Sequence, residues 1–213
     1  MIADSTVRES TEKTARRLST RELTACERLS TGQRSAVEIF TASGYDEINN
    51  AARTISTGGA TSRLSATTVS HCKKLDEILT TAPTLDAPTV VWRGTPFRDN
   101  KVVEEAIAEW RAGRTGVFHF RAYSSTSTSA DFAWNWRQCG AQARPGNNYY
   151  LFEIETEHGM YVDPISRNRG EKELILPRSV RLEVVGEKLV KVRANGRLND
   201  TWVTQVRVVG VER

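Results

Sequence analysis

The chain has 213 residues, 38% of them hydrophobic and 26% charged, a balance ordinary for a water-soluble protein with a core of its own. No run of 18 or more apolar residues occurs, so no membrane-spanning helix is expected, and Cys26, Cys72, Cys139, His71, His119 and His158 are too scattered for a disulfide framework or a metal site. A net charge of +4 leans toward an anionic ligand or partner but is too small to diagnose a nucleic-acid binder.

The first segment, "MIADSTVRESTEKTARRLSTREL", is polar and has no apolar h-region. A Sec-type signal is therefore not expected, and the expected location is the cytoplasm or a target cell reached through a dedicated injection machine. Residues 1–30 carry the weakest folding signal. "YDEINNAARTI" reads as a helix stopped by the glycines of "STGGATS". In "VSHCKKLDEIL", Val69, Cys72, Leu75 and Leu79 fall on one helical stripe. "TAPTLDAPT" (81–89) is a connector, after which the character changes. "TVVWRG" is a short β-rich run that stops at Gly94, and "NKVVEEAIAEWR" an amphipathic helix with Val103, Ile107 and Trp110 on one side and Asn100 as N-cap.

Strand-like segments follow: "VFHFRAYSSTS", "YYLFEIETE", "GMYVDPI", "ELILP", "VRLEVVGEK", "KLVKVRA" and "TWVTQVRVVGVE", the last two flanking the turn signal "NGRLND". One helix, "SADFAWNWRQ", interrupts them. Helices first and strands later predict an α+β fold rather than alternating βαβ units. The expected organisation is one domain over 1–213, with a mainly helical section at 1–85 and a β-rich core at 86–213.

Three stretches carry candidate chemistry. "VVWRGT" ends a strand on Arg93, whose planar fork of donors suits a phosphate, and Gly94 lets a ligand approach the backbone. "FRAYSSTSTS" crowds Ser and Thr into 124–128, where hydroxyls can orient a carboxylate or a sugar. "RNRGEKELILP" sets Glu171 and Glu173 one residue apart at the mouth of an apolar strand, where each raises the other's pKa. If the whole run is a strand, the two glutamates share a face. Each stretch has an ordinary alternative: an ion-paired arginine, a helix-capping turn, a charged strand end. The similar spacing in "FEIETEH" reads as solvated glutamates on a wet strand face.

The order of the three changes the balance. Trp92-Arg93, Ser125-Thr126-Ser127 preceded by Tyr123, and Glu171-Lys172-Glu173 resemble the Arg–Ser–Glu class of mono-ADP-ribosyltransferases, the group of clostridial binary toxins, vertebrate ecto-transferases and phage transferases. "GYDEINNAART" is similar to that family's "GY..IN..L" helix, with Ala51 or Ala52 where leucine is usual. The resemblance spans roughly residues 36–185. Ser127-Thr128-Ser129 also spells the triplet, and Tyr123 favours the first register.

The resemblance implies a fold of N-terminal helices followed by a mixed or antiparallel two-sheet core, and NAD as substrate with no metal. It implies that Glu173, Glu171, Ser125 and Arg93 are catalytic. Arg93, Gly94, Ser125, Thr126, Ser127, Phe132, Trp136, Arg137 and Glu173 would bind NAD, with Arg144 a further candidate for a phosphate. Glu171, a glutamate rather than a glutamine, implies transfer to arginine. Loop 163–170 corresponds to the family's substrate-recognition turn; its arginines, Arg167 and Arg169, suit an acidic partner or a nucleic acid. The expected activity is therefore arginine-directed mono-ADP-ribosylation by a bacterial or phage effector or toxin, with an immunity protein as a further partner. Its rivals are transfer to RNA or DNA, NAD hydrolysis, and an inactive NAD- or nucleic-acid-binding module.

Overall fold

A computed structural model describes residues 17–82, 85–96, 101–135, 149–194 and 197–212. Four helices come first: α1 (Thr20–Thr24), α2 (Thr31–Phe40), α3 (Tyr45–Ser56) and α4 (Ala66–Thr81). Serines start three of them. Ser19 and Ser30 form reciprocal capping boxes with Glu22 and Gln33, and Ser65 accepts from Thr68 N at 3.0 Å, so backbone donors that a helix leaves orphaned are satisfied locally.

These helices share one core, built from Val37 and Phe40 of α2, Ile48, Ala51 and Ala52 of α3, and Cys72, Leu75 and Ile78 of α4. Ala51 and Ala52 are fully buried. These two small side chains fill the α3 side of that core without room for added bulk. The buried row of α4 is Thr68, Cys72, Leu75 and Ile78, while Val69 and Leu79 sit half-buried at its margin. Thr68 is tolerated inside because its hydroxyl is bonded to the Glu47 carboxylate.

The β-rich part holds β1 (Thr89–Pro96), β2 (Val117–Phe120), β3 (Ser124–Ser127), β4 (Tyr149–Thr156), β5 (Met160–Tyr161), β6 (Glu173–Leu176), β7 (Val180–Ala194) and β8 (Arg197–Val211), with helices α5 (Lys101–Arg111) and α6 (Ala130–Asn135). The hydrogen-bonded order is β2-β7-β8-β4-β1-β3-β6-β5. All pairs are antiparallel except β4–β8, so the sheet is mixed and the fold is α+β. Asn100, expected to cap α5, lies outside the described residues, as do Asn195 and Gly196, the first two residues of the expected turn "NGRLND"; the other four, Arg197 to Asp200, belong to β8 rather than to a turn.

This order cannot be flat. Phe120 and Ser124 are four residues apart, which limits their separation to roughly 14 Å. Yet β2 and β3 are five strand spacings apart in the order, about 24 Å in a flat sheet. The link from Leu176 to Val180 sets the same limit between β6 and β7. The sheet therefore folds over on itself. The crease lies between β1 and β3, which are joined by a single ladder pair, Trp92 with Ser127. On one side are five strands and on the other β3-β6-β5, the two sheets expected, hydrogen-bonded to each other at one point. The segment "VFHFRAYSSTS", read as one strand, is broken at 121–123 because its halves pair on opposite sides of this fold.

Between the two parts lies an apolar core that includes Phe118, Phe120, Phe152, Leu174, Leu176, Leu182 and Val206. Another group, Trp92, Trp134, Leu151, Val190 and Val203, packs beneath α6. Glu153, expected to be solvated, is instead held by Lys188 at 2.5 Å and by Gln205 at 2.8 Å, while Glu155 on the same strand is exposed.

Candidate active site

The crease exposes the ends of β1, β3 and β6 to the C-terminus of α2 and the start of α3. Between them is a cleft of about 400 Å³, within the usual size range for a small-molecule site. Phe40, Thr41 and Tyr45 form one wall. Arg93, Gly94, Ser125, Thr126, Ser127 and Phe132 line another, and Glu171 and Glu173 complete it. The structure thus brings together all three separated stretches. Of the other candidates, Trp136, Arg137 and Arg144 lie outside the described residues.

Alternation along β1 sends Trp92, which is buried, into the core beneath α6 and leaves Arg93 half-buried at the cleft. The Arg93 guanidinium donates to the Ser125 carbonyl oxygen and, at 3.0 Å, to the Tyr45 hydroxyl. Its carbon also lies 5.7 Å from the centre of the Phe120 ring. Tyr45 in turn packs against Phe40, which packs edge-on against Tyr123. A guanidinium has five donor hydrogens. Two bonds hold this one in place and leave others for an anionic ligand.

The triplet works as three different devices. Ser125 Oγ donates to Glu173 Oε1 at 2.6 Å. Thr126 Oγ1 donates to the Leu174 carbonyl at 2.6 Å, pinning β3 to β6. Ser127 Oγ donates to the Glu171 carbonyl at 2.6 Å and accepts from Ser129 N at 2.9 Å, so it ties the turn before β6 to the start of α6. Of the two possible registers, the one beginning at Ser125 supplies the hydroxyl that reaches a carboxylate.

Glu171 and Glu173 do not share a strand face. β6 begins at Glu173, and Lys172 adopts the left-handed conformation with φ 53°. The turn is closed by Asp163, whose Oδ1 accepts from Gly170 N at 3.0 Å and Lys172 N at 2.8 Å. Both glutamates nevertheless line the same cleft, because this turn rather than strand alternation aims Glu171.

Their environments differ. Glu173 is 3% exposed, and burial pushes its pKa up, while the bonds from Ser125 and Ser166 pull it down and Arg93 acts in the same direction. Glu171 is only half-buried, yet desolvation, then the charges of Glu173 and Asp163, push it up to about 7. Among the described residues no side-chain hydrogen bond of the Glu173 kind offsets this. The cleft therefore holds one fixed, doubly bonded carboxylate and one whose protonation changes near neutrality.

Sequence reasoning missed Tyr45, Asp163, Ser166 and Asn168. Tyr45 belongs to the "GYDEIN" helix motif, but its contact with Arg93 spans 48 positions. Asp163 precedes a proline, a known turn signal, and its role in closing the loop could have been suspected on that ground. Ser166 and Asn168 carry no local signal.

Among the described residues there is no group of three or more His, Cys, Asp or Glu able to hold a metal ion. An α+β chain folded in this way, with an arginine, a serine and a glutamate pair meeting in one cleft, is of the Arg–Ser–Glu transferase class. Residues 12–205 match the ADP-ribosyltransferase exoenzyme family, and the chain belongs to it. NAD is accordingly its substrate. No curated protein matches the sequence. Among solved structures, the chain is similar to Plx2a, an ADP-ribosyltransferase toxin from Paenibacillus larvae, with 20% identity, coverage of 89% of this chain and 92% of that one, and a TM-score of 0.63. The Clostridium limosum C3 exoenzyme gives 21%, 86%, 87% and 0.57. Exoenzyme S from Pseudomonas aeruginosa, solved with human 14-3-3 protein beta and carba-NAD, gives 16%, 84%, 74% and 0.60.

Proposed function

We propose that residues 1–213 act as one catalytic domain that transfers a single ADP-ribose from NAD to an arginine of a target protein, as a toxin or effector. The observation that carries this reading is the pair of unlike carboxylates, Glu173 and Glu171, in one cleft with Arg93. In the proposed reaction the bond between nicotinamide nitrogen and ribose C1′ breaks with its electrons leaving on nicotinamide. The ribose becomes an oxocarbenium ion. Glu173, held by two serines, lies beneath the developing positive charge, where a preorganised carboxylate stabilises the transition state most strongly. Arg93 takes a phosphate of the dinucleotide, Gly94 gives the ligand access to the backbone, and Phe132 presents a ring at the cleft.

An arginine guanidinium is protonated at neutral pH and is a poor nucleophile. Glu171 would bind it and accept a proton as its nitrogen attacks C1′. A carboxylate with a pKa of about 7 suits that task, because a base works best when its pKa lies near the working pH. The products are ADP-ribosyl-arginine, nicotinamide and one proton. The exposed Arg167, Arg169 and Lys172 beside Glu171 give the acceptor side a basic rim, which favours a target with acidic surroundings. An immunity protein that covers the cleft is a proposed second partner.

Labelled NAD incubated with the chain and whole lysate, followed by mass spectrometry, tests the reading. Label on protein arginine is the expected result. Label on nucleic acid, or free ADP-ribose alone, would replace the acceptor; binding without nicotinamide release would replace the enzyme. Glu173→Gln should abolish nicotinamide release and transfer by about a hundredfold or more, the scale of a lost electrostatic stabiliser. Glu171→Gln should keep nicotinamide release and lose arginine transfer. Equal loss of both activities in both variants contradicts the division of labour.

A further inference from the structure

Ser125 accounts for only one oxygen of the Glu173 carboxylate. The other, Oε2, accepts a hydrogen bond from Ser166 Oγ at 3.0 Å. Ser166 is 3% exposed and sits at the start of the loop that leads to Glu171. Its own oxygen accepts from Asn168 N at 3.1 Å. A hydroxyl has one proton to give, and with a backbone N–H occupying its oxygen that proton is directed at Glu173. The loop is in turn fixed to the end of α2: Asn168 Nδ2 donates to the Thr41 carbonyl at 2.9 Å, and Arg167 N donates to Thr41 Oγ1 at 3.0 Å.

We infer that Ser166 is a second positioning residue, which fixes the plane of the Glu173 carboxylate and couples it to the acceptor loop held on Thr41. The inference rests on the proposed role of Glu173 in NAD cleavage. Ser125 and Ser166 approach different oxygens, so with both bonds made the carboxylate cannot swing about its last torsion. With one bond alone it can. A carboxylate buried to this degree is also easily protonated. Asp163 works toward protonation and Arg93 against it, and Glu171 faces the same cleft as a further like charge; the two serine hydroxyls are what favour the ionised form most directly.

The test uses the full chain and follows nicotinamide release from NAD as a function of pH for the wild type, Ser166→Ala and Ser166→Thr. Loss of one hydrogen bond to a charged group predicts a fall in kcat of about tenfold for Ser166→Ala. KM for NAD should stay within about twofold, since no contact with the dinucleotide is removed. The acidic limb of the kcat profile should move to higher pH, because Glu173 loses a bond that favours its charge. Ser166→Thr, which keeps the hydroxyl, should restore both kcat and the limb. Should Ser166→Ala fail to fold, Ser166→Cys keeps the side-chain shape at slightly greater volume, weakens the donor, and decides by the same two readouts. An unchanged kcat, or a lower kcat with an unmoved acidic limb, overturns the inference while leaving the functional reading intact. A wild type that releases no nicotinamide overturns the functional reading, and this inference with it.

Discussion

In the proposed reaction, Glu171 sits where function and stability pull in opposite directions. Its pKa of about 7 in the folded chain lies well above the ordinary 4.5. A carboxyl raised in this way favours the fold while protonated. That contribution is complete below about pH 4.5 and is lost as pH rises through about 7, above which the buried charge works against folding. Glu171→Gln should therefore raise the thermal midpoint at pH 8 and leave it unchanged near pH 4, as followed by calorimetry. The same titration should appear in catalysis. Transfer to an arginine acceptor should rise with pH through about 7, as Glu171 ionises, while nicotinamide release without an acceptor should lack that step. A stabilising effect of the same size at both pH values would show that the side chain's charge is not the cause.

Between elements, the site depends on how the helical section is fastened to the sheet. Arg178, just after β6, makes a two-pronged contact with Asp76 of α4, at 2.9 and 3.0 Å, and donates to Ser56 Oγ at 3.0 Å. The Tyr123 hydroxyl, just before β3, lies 2.7 Å from a carboxylate oxygen of the same Asp76 and 2.8 Å from the Cys72 carbonyl, and its one proton is shared between these two acceptors. Burial and Asp76 together push the Tyr123 hydroxyl far above its usual range, so it remains a donor at any working pH. One aspartate thus ties α4 to both strands that carry Ser125 and Glu173. Asp76→Asn keeps the volume and breaks the two-pronged bond. It should lower stability by about 1–3 kcal/mol, measured by urea unfolding. An unchanged midpoint would show that the helices are held by their apolar contacts alone.

For the molecule as a whole, the cleft exists only because distant segments close on it. Tyr45 lies in the helical section, Arg93 on β1 and Ser125 on β3, and Arg93 is bonded to both of the others. A ligand that binds only the folded chain stabilises it by mass action, by about 2.7 kcal/mol at one hundred times its Kd. A non-cleavable NAD analogue should accordingly raise the thermal midpoint by several degrees. Glu173→Gln should retain most of that rise, and Arg93→Ala should lose it. An equal rise in Arg93→Ala would remove Arg93 from dinucleotide binding.

Much of this was legible from residue order. Helical periodicity marks α3 and α4, apolar and β-branched runs mark β1, β6, β7 and β8, and both are local properties that short windows carry. The Arg, Ser-Thr-Ser and Glu-x-Glu stretches were likewise readable as candidates from their residue types and order, and the structure brings them to one cleft. The fold-over of the sheet was not, since it follows from which strands pair, and "VFHFRAYSSTS" has no mark of a break at 121–123. Nor was the environment of the two glutamates. Their spacing suggested a shared strand face, whereas Lys172 in a left-handed turn and Asp163 beneath it aim Glu171, and Ser166 arrives at Glu173 from a loop. A pKa depends on burial and on charges brought near through space, so the difference between these two carboxylates came into being only when the chain folded.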